Sequence, residues 1–415
     1  MTSLSFNKAR LDKRINSYVE KQLALNPFGL TQQPMPIHKG KITDMESFEF
    51  AWKKIIDEFL KPIETMQNIG KSNRDEATFD SDNQFGVIMS EASINMGERF
   101  EQREEITQIV FESLGAHRFA FVPQASLKLF ADLKYSGVVV DFGADMTQIS
   151  PVENGYTSYY SSNAFRVNGN SVDKYLLYSL LLGNNQSPDI SNQMSLDRVK
   201  RDLKENLWES GPGISPNKYI LPDMKQLIIN RDTGYDRDAL AFLYFNSDII
   251  KEMEDSYTKP QMTKQPGGSG KNYGKNLLSV KSMAISEAGY TSVGNNPHNQ
   301  NEQATLERKS IIYKILKCMQ NYTVEENVQK SMIETVLLTG GGVDLNNLGN
   351  LVQMQLETKC IDEYSKINVV QQKEPVTSII QGAKLYASMK HLDSILITKQ
   401  EYLEEGPSIV NRKCY

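Results

Sequence analysis

The chain has 415 residues, of which 39% are hydrophobic, and a net charge of −5. It is long enough for two or more domains and apolar enough for large cores, and it lacks the basic excess of a nucleic-acid-binding protein. Its three cysteines are far apart in sequence, which indicates a reducing compartment rather than a disulfide scaffold. No stretch approaches the ~20 apolar residues of a membrane span. These features predict an intracellular protein, and the basic N-terminus leaves a mitochondrial presequence open.

Strands and helices alternate in the first third of the chain. Thr43 and Glu46 predict a capping box at the start of a helix. The apolar face of this helix is expected to contain Met45, Phe48, Trp52, Ile55 and Phe59. Beyond it, the pattern predicts strands over residues 86–90 and 119–122 and helices over residues 103–114 and 125–133. Such alternation is typical of an α/β architecture.

The next feature is a hairpin over residues 137–155. Three consecutive valines predict a short buried strand, and Asp141 and Gly143 follow at its carboxyl end. A second strand is predicted over residues 147–152, with Thr147 at its start. Such a hairpin brings together a carboxylate, backbone N–H groups and a hydroxyl, which can hold a phosphate and its magnesium ion. The alternative for this stretch is an ordinary surface hairpin.

The second half predicts further helices, a long polar insertion and another glycine-rich turn. Helices are expected over residues 172–182 and 196–209, and the Asn-, Gly- and Gln-rich residues 261–304 are typical of a flexible insertion. A predicted buried strand over residues 335–339 is followed by Gly340, Gly341 and Gly342. Three glycines allow a ligand to lie against bare backbone. Together with the hairpin, they predict a nucleotide cleft between two α/β domains.

The C-terminus carries a family resemblance. Residues 399–402, 405–410 and 412–415, which read KQEY, EGPSIV and RKCY, resemble the tail of actins. Further actin-like segments occur in the same order as in the family, over roughly residues 29–260 and 306–415. They include the hairpin itself and the segments at Gln124, Lys204, Glu205 and the triple glycine. Several matches in one order are far more specific than any one motif.

The resemblance implies an α/β, actin-like fold of two lobes with a central cleft for ATP or ADP and magnesium. It places the first lobe at residues 29–165, the second at 166–330 with the insertion at 261–304, and a return to the first lobe at 331–415. It also implies nucleotide-binding residues, namely Asp141, Gly143, Thr147, Lys204, Glu205, Gly340, Gly341 and Gly342. Asp141 would hold the magnesium ion through the phosphate, and Gln124 would occupy the water-orienting position.

Departures from the family pattern predict weak or lost ATP hydrolysis. Nothing in residues 1–28 resembles the first phosphate loop of actins, which contributes backbone N–H groups and a lysine to the phosphates. Ala144 replaces a second acid, and Asp145, in place of a glycine, is expected to point to a different face of the turn. We therefore expect no catalytic residue, with Gln124 as a vestige, and we expect residues 1–28 or a partner chain to cover the sheet edge left open.

Three functions remain at this point. The first is a structural subunit that binds other protein subunits of a larger assembly, without enzymatic activity, in the cytoplasm, the cytoskeleton or an axoneme. The second is an ATP-binding, filament-forming actin with a divergent or truncated N-terminus. The third is a nuclear actin-related subunit of a chromatin-remodelling complex, although no Lys/Arg-rich nuclear-localisation run is present.

Overall fold

The structure is a computed structural model. It describes residues 36–59, 85–94, 99–183, 218–220, 226–228, 239–250, 310–323, 325–343, 345, 347–360, 366–389 and 392–414. The predictions made for residues 1–28, for the helix at 196–209 and for the insertion at 261–304 lie outside these residues. No helix in the described part of the chain is long and apolar enough to cross a membrane.

Short strands and helices alternate along the described chain. The strands are β1 Ile37–His38, β2 Lys41–Ile42, β3 Gly86–Glu91, β4 Arg118–Pro123, β5 Gly137–Phe142, β6 Thr147–Glu153, β7 Tyr156–Thr157, β8 Asn163–Phe165, β9 Lys218–Ile220, β10 Gln226–Ile228, β11 Val336–Thr339, β12 Val369–Gln371 and β13 Ile397–Thr398. The α-helices are α1 Met45–Phe59, α2 Arg99–Gln108, α3 Gln124–Ala131, α4 Gly169–Gly183, α5 Ala239–Phe242, α6 Ile311–Tyr322, α7 Glu326–Ile333, α8 Leu348–Lys359, α9 Ser378–Ala387, α10 Leu392–Ile395, α11 Lys399–Glu405 and α12 Ile409–Lys413.

The first main sheet has the order β13-β4-β3. Strand β3 runs parallel to β4, and β13 from the C-terminal region pairs antiparallel with the other edge of β4. Aromatic rings dominate its core, in which Phe111 contacts Phe119 edge to face and stacks on Tyr402. Among the described residues, β3 has no strand on its second side. The expectation of an open sheet edge in this lobe stays a prediction, because residues 1–35 and 60–84 lie outside the described residues.

The second sheet has the order β12-β11-β5-β6-β7, with β8 also paired to β6. Its central strand β5 alternates between two cores: Val138 and Val140 belong to one hydrophobic cluster, whereas Val139 packs in another with Leu129 and Leu337. Both faces of β5 are therefore covered, which explains why its sequence is a continuous apolar run instead of an alternating one.

Two details of the sequence-based prediction for α1 are wrong. The capping residue is Asp44, whose Oδ1 accepts from the amide of Ser47 over 3.1 Å. Thr43 instead closes the β1–β2 turn, because its amide donates to the carbonyl of Pro36. On the apolar face, Ile56 packs against the core, whereas Ile55 is exposed.

The helix predicted over residues 103–114 begins earlier than predicted, and its last turn is not α-helical. It starts at Arg99 and becomes a π-helical turn over Ile109–Ser113. The wider turn carries Val110 and Phe111, both buried, into the core of the first sheet.

The C-terminal region is anchored by a buried ionic network. Arg103 donates from Nε to Oε2 of Glu91 over 2.9 Å and from Nη1 to the carbonyl of Cys414 over 2.6 Å. Arg99 contributes a second ion pair to Glu91 at 3.0 Å. Burial by itself would raise the pKa of Glu91, but the hydrogen bonds and charges of the two arginines outweigh it and lower the pKa. The network joins α2, β3 and the end of α12.

Candidate functional site

The turn between β5 and β6 is the centre of the predicted site. Strand β5 is buried along its whole length and pairs in parallel with β11, which places Asp141 beside Thr339. The amide of Gly143 donates to the carbonyl of Met146 over 3.1 Å, and a Cβ at Gly143 would lie 2.6 Å from that oxygen. The turn therefore requires glycine at this position.

The carboxylate of Asp141, the predicted metal-binding acid, is paired with a lysine. Nζ of Lys128 lies 2.7 Å from Oδ2 of Asp141, and the two side chains are 4% and 12% exposed. Lys128 lies on α3, the helix that begins at Gln124. The positive charge beside Asp141 thus comes from the protein itself.

Asp145, the other acid of the turn, is held by residues outside the hairpin. Its Oδ2 lies 3.0 Å from Nδ1 of His38 and accepts from the amide of Lys39 at 3.4 Å. Its Oδ1 accepts from Nδ2 of Asn170 over 2.7 Å. The side chain therefore ties the hairpin to the β1–β2 turn and to the start of α4. Asp145 also lines the same cavity as Asp141, and the expectation that an acid at this position points to a different face of the turn stays a prediction.

Glycines 340–342 follow β11 as predicted, but two of them pack against the hairpin. A Cβ at Gly340, whose φ is +90°, would collide with the carboxylate of Asp141 and lie 2.7 Å from the carbonyl oxygen of Phe142. The amide of Gly342 donates to that same oxygen over 3.0 Å. Only Gly341 has no described atom within 4 Å of its Cβ position. Two of the three glycines thus allow close loop packing, and ligand binding at all three stays a prediction.

A cavity of about 720 Å³ opens beside the hairpin. Its lining includes Gln124, Asp141 and Gly143, and α1, β3 and α9 contribute its walls. Thr147 is not part of the lining, because it is fully buried. The structure therefore brings three of the predicted site residues to one cavity and places Thr147 behind it.

A comparison with protein families identifies the fold. The sequence model described as Actin matches residues 5–202 and 186–415. The chain belongs to the actin family. The resemblance and the predicted fold class, α/β with two actin-like lobes, are thereby confirmed.

Two individual relatives are distant. The chain is 23% identical over 344 residues to "Putative actin-29" of Dictyostelium discoideum, an alignment that covers 80% of this chain and 72% of that protein. It is 22% identical over 387 residues to "Actin-like protein 9" of Bos taurus, covering 92% and 73% respectively. The actin match begins at residue 5 and so includes most of residues 1–28, where the sequence shows no resemblance to the first phosphate loop. The boundaries drawn between the lobes stay predictions.

Other family positions are partly described. Lys204 and Glu205, the predicted adenosine contacts, lie outside the described residues. Leu345, shortly after the triple glycine, is buried in the core of the second sheet. Asn347 adopts a left-handed conformation with φ of +60° at the start of α8.

With Lys128 in place, Asp141 does not fit a magnesium ion. Mg²⁺ is usually held by one or two carboxylates together with waters and substrate phosphates, and Ala144 contributes no second carboxylate. The one acid at the end of β5 already has Lys128 as its partner.

Sequence reasoning missed Lys128 and the aromatic pair beneath the turn. Lys128 is the single charged residue of α3, with Leu127 and Leu129 on either side, and a lone charge in an apolar helix was the available signal. Phe142 contacts Tyr244 edge to face, with 4.9 Å between the ring centroids, and both are fully buried. Burial raises the pKa of Tyr244, so its hydroxyl stays protonated at neutral pH.

Proposed function

We propose that this member of the actin family is a structural subunit of a larger protein assembly and does not turn over ATP. One observation carries the proposal. The turn that would face the γ-phosphate has Ala144 in place of an acid, and the carboxylate of its neighbour Asp145 is bonded to His38, Lys39 and Asn170. Phosphoryl transfer depends on charged groups positioned at the phosphates. Ala144 offers none, and the carboxylate of Asp145, although it lines the cavity, is already engaged by these three partners.

The preserved C-terminal region supports a structural role. Thr398 and Glu401 form a complete capping box at the start of α11, and Nζ of Lys413 donates to Glu401 over 2.7 Å. With the buried bond from Arg103 to the carbonyl of Cys414, these contacts fix the tail on the first sheet. The C-terminal region is therefore held on the first sheet by specific contacts, as a structural role requires.

An exposed apolar patch offers a surface for protein partners. The ring of Phe130 packs against Tyr135 and stacks on Tyr386. Around it, Leu133 is 72% exposed and Tyr156 is 68% exposed. Exposed apolar residues in a contiguous group are typical of protein-protein contacts, so this Phe130 patch supports membership of an assembly.

A further surface, formed by α9 and the residues after it, departs from the actin pattern. Leu385 and Met389 suit the apolar rim of the partner groove of actins, and both are 37% exposed. Gln381, where actins have an aliphatic residue, is exposed and donates to Glu374 over 2.9 Å. A hydrogen-bonded amide at this rim favours partners other than the ordinary actin-binding proteins.

The second candidate is an ATP-binding, filament-forming actin. It is favoured by the cavity that Gln124, Asp141 and Gly143 line together. Calorimetric titration of the full chain with ATP and magnesium, followed by high-speed sedimentation, separates the two candidates. The structural proposal expects weak or absent binding and no pelleting. Micromolar ATP affinity with phosphate release, or robust self-assembly, would contradict it.

A further inference from the structure

We propose that the ammonium group of Lys128 has replaced a divalent cation as the counter-charge of Asp141. The structure of this end of the cleft is then independent of metal ions. The observation is the ion pair of 2.7 Å between Nζ of Lys128 and Oδ2 of Asp141, at side chains that are 4% and 12% exposed. Buried charges require a partner of opposite sign, and each of these two groups provides it for the other.

The backbone around Lys128 is fixed in place. Its carbonyl accepts from Nε2 of Gln372 over 3.1 Å, and the same nitrogen donates to Asp132 over 2.8 Å. Helix α9 packs so closely on α3 that any Cβ at Gly382 would collide with the carbonyl of Leu127. The side chain of Lys128 therefore starts from a buried stretch of helix that is held both by Gln372 and by the packing of α9. Its ammonium group contacts the carboxylate of Asp141.

Asp141 is equally constrained on its other side. Its Oδ1 lies against Gly340, where a Cβ would collide with it. A divalent ion bound directly to the carboxylate would lie about 2.0–2.1 Å from an oxygen, as Mg²⁺ does. It would then be within a few ångströms of the lysine ammonium group, and like charges at that separation repel strongly in a buried site. Lysine and metal ion are therefore mutually exclusive as direct partners of this acid.

The test is thermal melting of the full chain without nucleotide, in EDTA and in millimolar Mg²⁺ or Mn²⁺. We expect the wild-type melting temperature to be the same in both conditions. Lys128→Ala removes the ammonium group and leaves room for an ion, so it is expected to melt lower in EDTA and to recover saturably with Mg²⁺ or Mn²⁺. The recovery should disappear in Lys128→Ala/Asp141→Asn. It should persist in the matched control Lys128→Ala/Asp145→Asn, which removes the other acid of the turn.

Two results would overturn the inference. The first is a metal-dependent rise in the wild-type melting temperature that Asp141→Asn abolishes. The second is a folded Lys128→Ala protein that responds to neither ion. If Lys128→Ala does not fold, Lys128→Met replaces it, because methionine fills the volume of the lysine stem. If Lys128→Met does not fold either, the melting temperatures of the wild type and Asp141→Asn with and without metal ions decide. The structural role proposed above does not depend on this pair, since a metal-responsive wild type without phosphate release would overturn the ion-pair inference alone.

Discussion

Removing the guanidinium group of Arg103 tests what holds the C-terminal region on the first sheet. Its side chain is 3% exposed in the ion pair with Glu91, and it also donates to the carbonyl of Cys414. Arg103→Met keeps most of the apolar stem and removes all of these bonds. Breaking a buried ion pair by removal of one partner costs about 3–5 kcal/mol. Because Arg99 remains paired with Glu91, we expect the lower end, about 3 kcal/mol.

The chain offers a matched control for this change. Arg412 is paired with Glu405 at the surface, where the two side chains are 63% and 42% exposed. Arg412→Met removes the same chemical group, but an exposed pair contributes about 0–1 kcal/mol. Urea unfolding of both variants measures the difference in the free energy of unfolding.

Thiol labelling provides an independent readout of the same network. All three cysteines are buried, and Cys414 is the one that Arg103 holds through its carbonyl. We expect native Arg103→Met to react with a thiol reagent faster than the wild type, at a single site that Cys414→Ser removes. Equal losses of stability for Arg103→Met and Arg412→Met, or unchanged labelling, would refute this account of the tail.

Three further predictions follow from described contacts. The pKa of Glu401 is lowered to about 2 by its hydrogen bonds from Lys413 and Thr398. The resulting stabilisation is present above the ordinary pKa of 4.5 and is lost as the pH falls from there towards 2. Because its side chain is 35% exposed, Glu401→Gln is expected to lower the free energy of unfolding by less than about 1 kcal/mol at neutral pH. The difference should shrink in urea titrations at acid pH, and a difference that stays constant with pH would contradict the assignment. Gly340→Ala should lower the melting temperature clearly, because its Cβ meets the β5–β6 turn, whereas Gly341→Ala should change it little; equal effects would contradict the loop packing. Deletion of residues 1–28 should lower the melting temperature or abolish partner binding, because β3 has an open side among the described residues; unchanged melting and unchanged partners would refute it.

The hairpin was predictable because its information is local. A run of valines next to Asp141 and Gly143 specifies a buried strand followed by a tight turn, and the structure has both. The cap of α1 was missed by one residue, since Thr43 and Asp44 are both good capping residues. The choice between them is made by the hydrogen bond of Thr43 to Pro36 across the β1–β2 turn, which no helix pattern contains.

The chemical state of the site was less predictable because it depends on contacts between distant elements. Lys128 and Asp141 are 13 positions apart, and only the packing of α3 on β5 brings their charges together. The glycines at 340 and 342 suggested ligand contact, but their space is occupied by Asp141 and Phe142. The glycine contacts arise from the pairing of β5 with β11, whose residues are almost 200 positions apart.

The most direct test of the central claim is phosphate release by the full chain in saturating ATP and magnesium, compared with Gln124→Ala. Gln124 lines the cavity beside Asp141 and is the residue that would orient an attacking water if hydrolysis occurred. A structural subunit without turnover predicts that both proteins release phosphate at the same rate as buffer. Release above buffer by the wild type that falls in Gln124→Ala would contradict the account.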